Sequence, residues 1–321
     1  MTRLTLTTLL LLSAAGLTAA DAPQKPREVV DWLVEPLDAA RDRVVPLKLY
    51  LPETDRPVPV VLFSHGLGGS RNNNSYLGKH WAAAGYAAVF IQHAGSDEEV
   101  WKSTSAGQRM QAMQAAASAQ STQARYADVP FVIDQLEKWN QTEGNPLHGK
   151  LDLEKIGMSG HSFGAVTTQG LMGQAFPGNR SVAEPRLKAF FPMSPSSHRT
   201  LSPEQAFGGI SKPVLCMTGT EDRSPADPRT TPESRRLVYA AMPAGDKYQL
   251  VFEGGEHHVF GDRALRAGEQ RDDRCHPAIQ RISTAVWDAY LKGDAAAKAW
   301  LQSDKPKTEL GLLEKDVWEW K

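Results

Sequence analysis

Residues 160–164 read GHSFG, a GxSxG pattern in which two glycines surround a serine. The pattern follows a strand-like segment at 156–159 and precedes a segment with helical spacing at 163–172. A tight strand-to-helix turn needs small flanking residues, and it presents the serine hydroxyl at the edge of a sheet. The pattern therefore predicts Ser162 as a nucleophile.

A serine hydroxyl is a weak nucleophile until a base removes its proton, and that base needs an acid to orient it. The acid is expected just after a strand. Asp222 follows the apolar run 214–218, whereas the preceding run, 187–193, leads into a segment without a carboxylate. Asp222 is therefore the predicted acid, with Glu221 and Asp227 as alternatives.

The base is expected in the loop after the last predicted strand, at residues 248–252. That loop carries two adjacent histidines, His257 and His258, and the motif alone leaves both open. Their position fits the chain order nucleophile, acid, histidine. Adjacent histidines rarely converge on one metal ion, and no HExxH spacing or Cys/His cluster accompanies them. We therefore expect neither a metal nor an organic cofactor.

A serine that attacks a carbonyl carbon also needs two N–H donors for the oxyanion of its tetrahedral intermediate. The amide of Phe163, directly after the nucleophile, is one candidate. The second is the amide of Leu67, in the loop HGLGG at 65–69, which follows the apolar run Val58–Ser64. Glycines there allow the backbone to approach a substrate, and His65 is expected to brace the loop.

Strands and helices alternate around these residues. We expect strands at 44–51, 58–64, 87–92, 156–159, 187–193, 214–218 and 248–252, and helices at 76–84, 125–139, 163–172, 232–241 and 278–291. This alternation favours a mainly parallel sheet with helices on both faces. Residues 95–123 are expected to form a helical excursion that overhangs the site.

The composition is that of a globular protein. The chain has 321 residues, of which 41% are hydrophobic and 23% charged, with a net charge of −1. This balance, without a basic stripe, argues against a nucleic-acid partner. No repeat or linker divides the chain, so we expect one domain over 21–321 with its core at about 44–294. The sequence alone leaves open whether Cys216 and Cys275 form a disulfide.

The first twenty residues have the pattern of a secretory signal peptide. Arg3 precedes an apolar run at 4–17, and small residues at 18–20 suit cleavage after Ala20. The run is short for a membrane span. The pattern predicts a secreted or periplasmic protein with no transmembrane segment after cleavage.

Four segments together resemble the plasma-type platelet-activating-factor acetylhydrolases and the predicted dienelactone hydrolase-like group of α/β hydrolases. They are FSHGLGG at 63–69, GHSFGA at 160–165, TGTED at 218–222 and GGEHHVF at 254–260. The resemblance covers residues 44–294 and implies the α/β-hydrolase fold with the triad Ser162, Asp222 and His257. It favours His257 because the histidine of that group lies three residues before a phenylalanine, here Phe260.

These patterns predict a secreted serine hydrolase that cleaves a small-molecule or lipid carboxylic ester through an acyl-enzyme on Ser162. Dienelactone itself is not expected as substrate, because true dienelactone hydrolases use a cysteine nucleophile. The alternatives are a phospholipase-like enzyme acting on short or oxidised acyl chains, a serine peptidase, and a non-catalytic binding protein on the same scaffold. Acyl length and oligomeric state are left open.

Overall fold

The computed structural model describes residues 28–262, 272 and 274–321. The predicted signal peptide at 1–20 lies outside these residues. In chain order the strands are β1 (Val29–Val34), β2 (Leu37–Asp38), β3 (Arg43–Val44), β4 (Leu47–Pro52), β5 (Val58–Ser64), β6 (Ala87–Ile91), β7 (Leu151–His161), β8 (Leu187–Met193), β9 (Val214–Glu221), β10 (Lys247–Glu256) and β11 (Val317–Trp320).

The helices connect these strands. They are α1 (Ser75–Ala83), α2 (Glu99–Lys102), α3 (Arg109–Ala116), α4 (Ala119–Gln141), α5 (Phe163–Leu171), α6 (Pro203–Phe207), α7 (Pro232–Ala241), α8 (Cys275–Trp287), α9 (Ala295–Leu301) and α10 (Lys305–Glu309). A 3₁₀ turn spans His257–Phe260, and a π-helical turn, Asp288–Lys292, extends α8.

Within the described residues, nine strands form one sheet in the order β1-β4-β6-β5-β7-β8-β9-β10-β11. The six strands from β6 to β10 in this order are parallel to their neighbours. All residues of β5 and β6 are buried, because helices cover both faces of such a parallel sheet. The prediction of a mainly parallel sheet is confirmed.

Alternate residues of each central strand face two separate apolar clusters. Val60 and Leu62 of β5 belong to the cluster that includes residues of α4 and α7, whereas Val61 and Phe63 belong to the cluster that includes residues of α1 and α8. Side chains of a strand point alternately to opposite faces, so one strand supplies both clusters. Helices therefore lie on both faces of the sheet, as predicted.

The sheet is wider than the predicted core of 44–294. At one edge β1 pairs antiparallel with β4, and at the other β11 pairs antiparallel with β10. The missed β1 is an edge strand whose residues are exposed or half-buried, so it lacks a continuous apolar run. The missed β11 has four residues. The predicted strand at 44–51 begins instead at Leu47.

The register of the parallel strands places the loop 65–69 and the turn 160–164 side by side. Ser64, at the end of β5, pairs with Gly160 near the end of β7. His161 pairs with Met193 at the end of β8. The loop 65–69 and the turn 160–164 therefore emerge together at the carboxyl edge of the sheet, where ligands bind in open α/β sheets.

The expected helical excursion forms α2, α3 and the start of α4, and it packs on the glycine-rich loop. Trp101 Nε1 donates a hydrogen bond of 2.7 Å to the carbonyl oxygen of Gly68. Met113 lies so close to Gly68 that a Cβ there would overlap its side chain. Gly68 also has a φ of 65°, which favours glycine.

Candidate active site

Ser162 occupies a sharp turn between β7 and α5. Its φ of 57° and ψ of −115° are unusual for a residue with a side chain. A Cβ on Gly160 would overlap the carbonyl oxygen of Gly164, and a Cβ on Gly164 would overlap that of Ser64. Both glycines are therefore required by close backbone packing, which is the physical basis of the GxSxG spacing.

A chain of hydrogen bonds joins Ser162 to Asp222 through His257. His257 Nε2 lies 2.9 Å from Ser162 Oγ. His257 Nδ1 lies 2.6 Å from Asp222 Oδ1. β7, β9 and β10 carry these three residues to the same edge of the sheet, although they are far apart in sequence. The arrangement has the geometry of a nucleophile, a general base and an orienting acid.

The alternative residues lie in other environments. His258 Nδ1 lies 3.3 Å from the carboxylate of Glu256. Glu221 is exposed, and the carboxylate of Asp227 pairs with Arg229. The structure therefore brings His257 and Asp222, rather than these alternatives, to Ser162.

The carboxylate of Asp222 is fully buried but well supplied with donors. Thr218 Oγ1 donates to its Oδ2 at 2.8 Å, and Arg235 Nε lies 3.1 Å from its Oδ1. Burial by itself raises the pKa of this carboxyl, but the hydrogen bond from His257 and the charge of Arg235 lower it to about 2. Asp222 is therefore ionised at neutral pH and can orient and stabilise a protonated histidine.

Arg235 was not predicted from the sequence. Its side chain is 2% exposed and lies behind the Asp222–His257 pair. Nε donates to the backbone oxygen of Asp222 at 2.7 Å, and Nη1 donates to that of Ser194 at 2.7 Å. Nη2 lies 3.3 Å from His257 Nδ1. An arginine on an amphipathic helix such as α7 is usually solvated, so no local signal distinguishes it from Arg236 beside it.

The two predicted oxyanion donors flank the serine. Among the described residues, neither the amide of Leu67 nor that of Phe163 donates a hydrogen bond, so both are available to a ligand. A Cβ added to Gly66 would lie 3.4 Å from Ser162 Cβ, so loop 65–69 is in contact with the serine turn.

The imidazole of His65 braces this loop. It is buried, with Nδ1 2.6 Å from the carbonyl oxygen of Gly66. Its Nε2 lies 3.0 Å from the backbone nitrogen of His93 and accepts a hydrogen bond from it. Within the loop, Gly69 N donates to Gly66 O at 3.1 Å. These contacts fix the backbone on either side of Leu67.

His161 packs against the histidine of the site. Its ring centroid lies 4.7 Å from that of His257 and 5.9 Å from that of Phe260. Its Nε2 is buried, and no partner for it is found within the described part of the chain. Burial, with the nearby His257, lowers the pKa of His161 well below its ordinary value. His161 is therefore neutral and limits the movement of the His257 ring.

A metal site or a membrane span would be a further functional feature of the described residues. No group of three or more His, Cys, Asp or Glu side chains among them is arranged to hold a metal ion. Within the same ranges, no helix is sufficiently long and apolar to cross a membrane. Cys216 and Cys275 are both buried and do not form a disulfide.

Comparison with known proteins adds three findings. A sequence model of the family platelet-activating factor acetylhydrolase, isoform II, matches residues 47–129. This segment runs from β4 into α4 and contains loop 65–69, but it ends before Ser162. A stretch of 74 residues is 36% identical to protein kintoun of Rattus norvegicus. That match covers 23% of this chain and only 8% of the length of kintoun.

The fold also matches a solved structure. The ferulic acid esterase from Streptomyces cinnamoneus superposes with a TM-score of 0.62 over 85% of this chain and 93% of that one. The two sequences are 19% identical, so this likeness concerns the fold. The chain thus has the α/β-hydrolase fold and, over residues 47–129, resembles the platelet-activating-factor acetylhydrolases.

Proposed function

We propose that this protein is a serine esterase that hydrolyses carboxylic esters through an acyl-enzyme on Ser162. The observation that carries the proposal is the hydrogen-bonded chain Ser162–His257–Asp222 beside two unoccupied amide donors. The partial match to an acetylhydrolase family is in keeping with an ester substrate.

In the first step, His257 Nε2 accepts the proton of the Ser162 hydroxyl as Oγ attacks the ester carbonyl carbon. The carbonyl oxygen becomes an oxyanion and accepts hydrogen bonds from the amides of Leu67 and Phe163. The ionised Asp222 stabilises the imidazolium. His257 Nε2 then donates this proton to the leaving alkoxide oxygen as the ester C–O bond breaks, and the acyl group stays on Oγ.

In the second step, water replaces the alcohol. His257 accepts a proton from the water as its oxygen attacks the acyl carbon, and the same two amides stabilise the second oxyanion. The proton returns to Ser162 Oγ as the carboxylic acid leaves. The mechanism needs no metal or organic cofactor.

The test compares four proteins: the wild type, Ser162→Ala, His257→Ala and His258→Ala. We expect a fluorophosphonate probe to label the wild type and not Ser162→Ala. For p-nitrophenyl acetate, kcat should fall by about 10⁴-fold or more in Ser162→Ala and His257→Ala, but by less than about threefold in the matched His258→Ala. Absence of labelling in the wild type would sink the proposal, and equal losses in the two histidine variants would refute the role of His257.

A phospholipase activity on short or oxidised acyl chains is the second candidate, favoured by the family match at 47–129. Both activities use the same residues, so the substrate must separate them. Higher kcat/KM for an acetylated phosphatidylcholine than for p-nitrophenyl acetate and butyrate would favour the phospholipase. Turnover of the soluble esters alone would favour a carboxylesterase.

Export forms a separate part of the proposal. Residues 1–20 have the pattern of a cleaved signal peptide. We expect the mature protein to begin at Asp21 and to be recovered from the medium or periplasm. Intact mass and N-terminal sequencing of the expressed full chain test this, and retention of Met1 in the cytoplasmic fraction would contradict it.

A further inference from the structure

The guanidinium of Arg125, on α4, lies directly behind the proposed oxyanion hole. Its side chain is completely buried. Nη1 donates to the backbone oxygen of His65 at 2.7 Å, and Nε donates to Ser96 Oγ at 2.9 Å. The backbone oxygen of Ser96 accepts from Gly68 N at 2.9 Å. Arg125 therefore holds residue 65 directly and residue 68 through Ser96, and Leu67 lies between them.

The same guanidinium contacts the other half of the oxyanion hole. Its central carbon lies 4.3 Å from the ring centroid of Phe163, a distance at which cation–π attraction is effective. Phe163 begins α5 and supplies the second amide. The planar guanidinium of Arg125 therefore contacts both loop 65–69 and the serine turn, and it holds them against each other.

A buried polar network connects Arg125 to Asp128, whose carboxylate also pairs with Arg41 and Arg43. Nη1 of Arg125 also lies 3.2 Å from Ser64 Oγ, which lies 2.9 Å from His93 Nε2. His93 Nδ1 lies 2.9 Å from Asp128 Oδ2. Burial lowers the pKa of Arg125 to about 9, although the negative charges of Asp128 and Asp97 raise it in part. The guanidinium therefore remains charged at neutral pH.

Ser64, His93 and Asp128 have the order of a nucleophile, base and acid, but they are completely buried and cannot meet a substrate. These three residues instead form a hydrogen-bonded chain that ends at the guanidinium of Arg125. Because the guanidinium can only donate, Ser64 Oγ accepts from Arg125 and directs its own proton to the neutral His93. The network thus sets the direction in which the guanidinium points.

We propose that Arg125 is a positioning residue for the oxyanion hole, which keeps the amides of Leu67 and Phe163 at the separation that the reaction requires. The inference rests on the proposed esterase function, because the oxyanion of that reaction is the common ligand of the two amides. Misplacement of a catalytic group by about 1 Å can lower a rate about 10²-fold. A change at Arg125 should therefore reduce kcat rather than weaken substrate binding.

The decisive variant is Arg125→Lys. Lysine keeps the positive charge but lacks the planar fork that contacts His65, Ser96 and Phe163 together. For p-nitrophenyl acetate we expect kcat to fall about 10²-fold with KM within about threefold of the wild type. The matched control is Arg186→Lys, since Arg186 also has several polar partners but precedes β8 at the opposite end of the sheet. Its kcat should be unchanged.

A pair of inhibitors separates positioning from general damage. A trifluoromethyl ketone forms a hemiketal oxyanion on Ser162, whereas its methyl ketone counterpart binds mainly as an uncharged carbonyl. In Arg125→Lys, the ratio of their inhibition constants should shift about 10²-fold against the trifluoromethyl ketone. Equal weakening of both inhibitors would overturn the proposal, and so would an unchanged kcat in folded Arg125→Lys.

Ser96→Ala provides a second, milder variant. It removes the acceptor of Arg125 Nε and leaves the charge and the Ser96 backbone in place. We expect about a tenfold lower kcat with the same selective loss of trifluoromethyl ketone affinity. Should thermal melting show that Arg125→Lys is unfolded, unchanged kinetics of Ser96→Ala would overturn the inference. A wild type without esterase activity would instead refute the proposed function itself.

Discussion

The carboxylate of Asp222 orients the ring of His257, and it must itself be held in place. It is a buried charge, and such a charge is costly unless donors surround it. Thr218 Oγ1 and His257 Nδ1 donate to the carboxylate at 2.8 and 2.6 Å, and the cation of Arg235 lies 3.1 Å from it. Arg235 also bonds the backbone of residue 222, so it fixes both the position and the ionisation of the acid.

At the scale of this residue, Arg235→Met should be strongly destabilising because it leaves the Asp222 carboxylate buried without its cation. We expect the free energy of unfolding to fall by about 3 kcal/mol, since breaking a buried ion pair costs this order. The pKa of Asp222 should rise, because the charge of Arg235 helps to lower it. Urea titration measures the first effect, and the pH dependence of p-nitrophenyl acetate hydrolysis measures the second.

The neighbouring residue provides the control for this prediction. Arg236 is exposed on the same helix, so Arg236→Met should change the free energy of unfolding by no more than about 0.5 kcal/mol. Similar losses in the two variants would show that Arg235 has no special relation to the site.

At the scale of elements, the ends of β5 and β7 and the start of α5 are packed backbone against backbone. This packing explains why residue 164 must be glycine, since any Cβ there would enter the carbonyl of Ser64. The same close approach lets loop 65–69 meet the serine turn. The site is therefore a consequence of how three elements meet, rather than of one loop.

Gly164→Ala should accordingly lower the free energy of unfolding by about 3 kcal/mol or more, because backbone atoms cannot move aside as a flexible side chain can. Gly107→Ala is the matched control: a Cβ there meets open space. It should be neutral or stabilising by up to about 1 kcal/mol. Urea unfolding of both variants measures the difference, and a Gly164→Ala protein as stable as the wild type would contradict this account of the turn.

At the scale of the whole molecule, buried ionisable groups make stability depend on pH. Burial, with the charge of Arg125, lowers the pKa of His93 from 6.5 to about 4. Between these values the unfolded chain binds a proton that the folded protein excludes, so the folded state loses stability as pH falls. Asp222, with its pKa lowered from 3.8 to about 2, adds a further loss below pH 3.8.

We therefore expect the free energy of unfolding to fall by up to about 1.4 kcal/mol per pH unit from pH 6.5 to 4 through His93 alone, or about 3 kcal/mol in total. His93→Asn should lower this slope by the amount that one proton contributes, about 1.4 kcal/mol per pH unit. The amide can still donate to Asp128, but it does not titrate. The exposed His148→Asn serves as control. Equal slopes in all three proteins, measured by urea titration at several pH values, would refute the assignment.

The sequence by itself determined the elements that form the centre of the fold. The strand at 58–64 and the helix at 232–241 have their predicted bounds, because a doubly covered strand is continuously apolar and an amphipathic helix has a clear period. The edge strands β1 and β11 escaped prediction, because their conformation depends on pairing with β4 and β10 rather than on their own pattern.

The sequence pointed to Ser162 and Asp222 through the spacing around glycines and the chain order, and the family resemblance favoured His257 over His258. The tertiary structure brings His257 Nε2 to Ser162 Oγ and places His258 beside Glu256. It alone brought Arg235 and Arg125 behind the site, because each arginine's partners lie on other elements of the chain. A lone arginine on a helix has no sequence signal for burial; the directions of its five N–H groups acquire meaning only when distant carbonyls and carboxylates surround it.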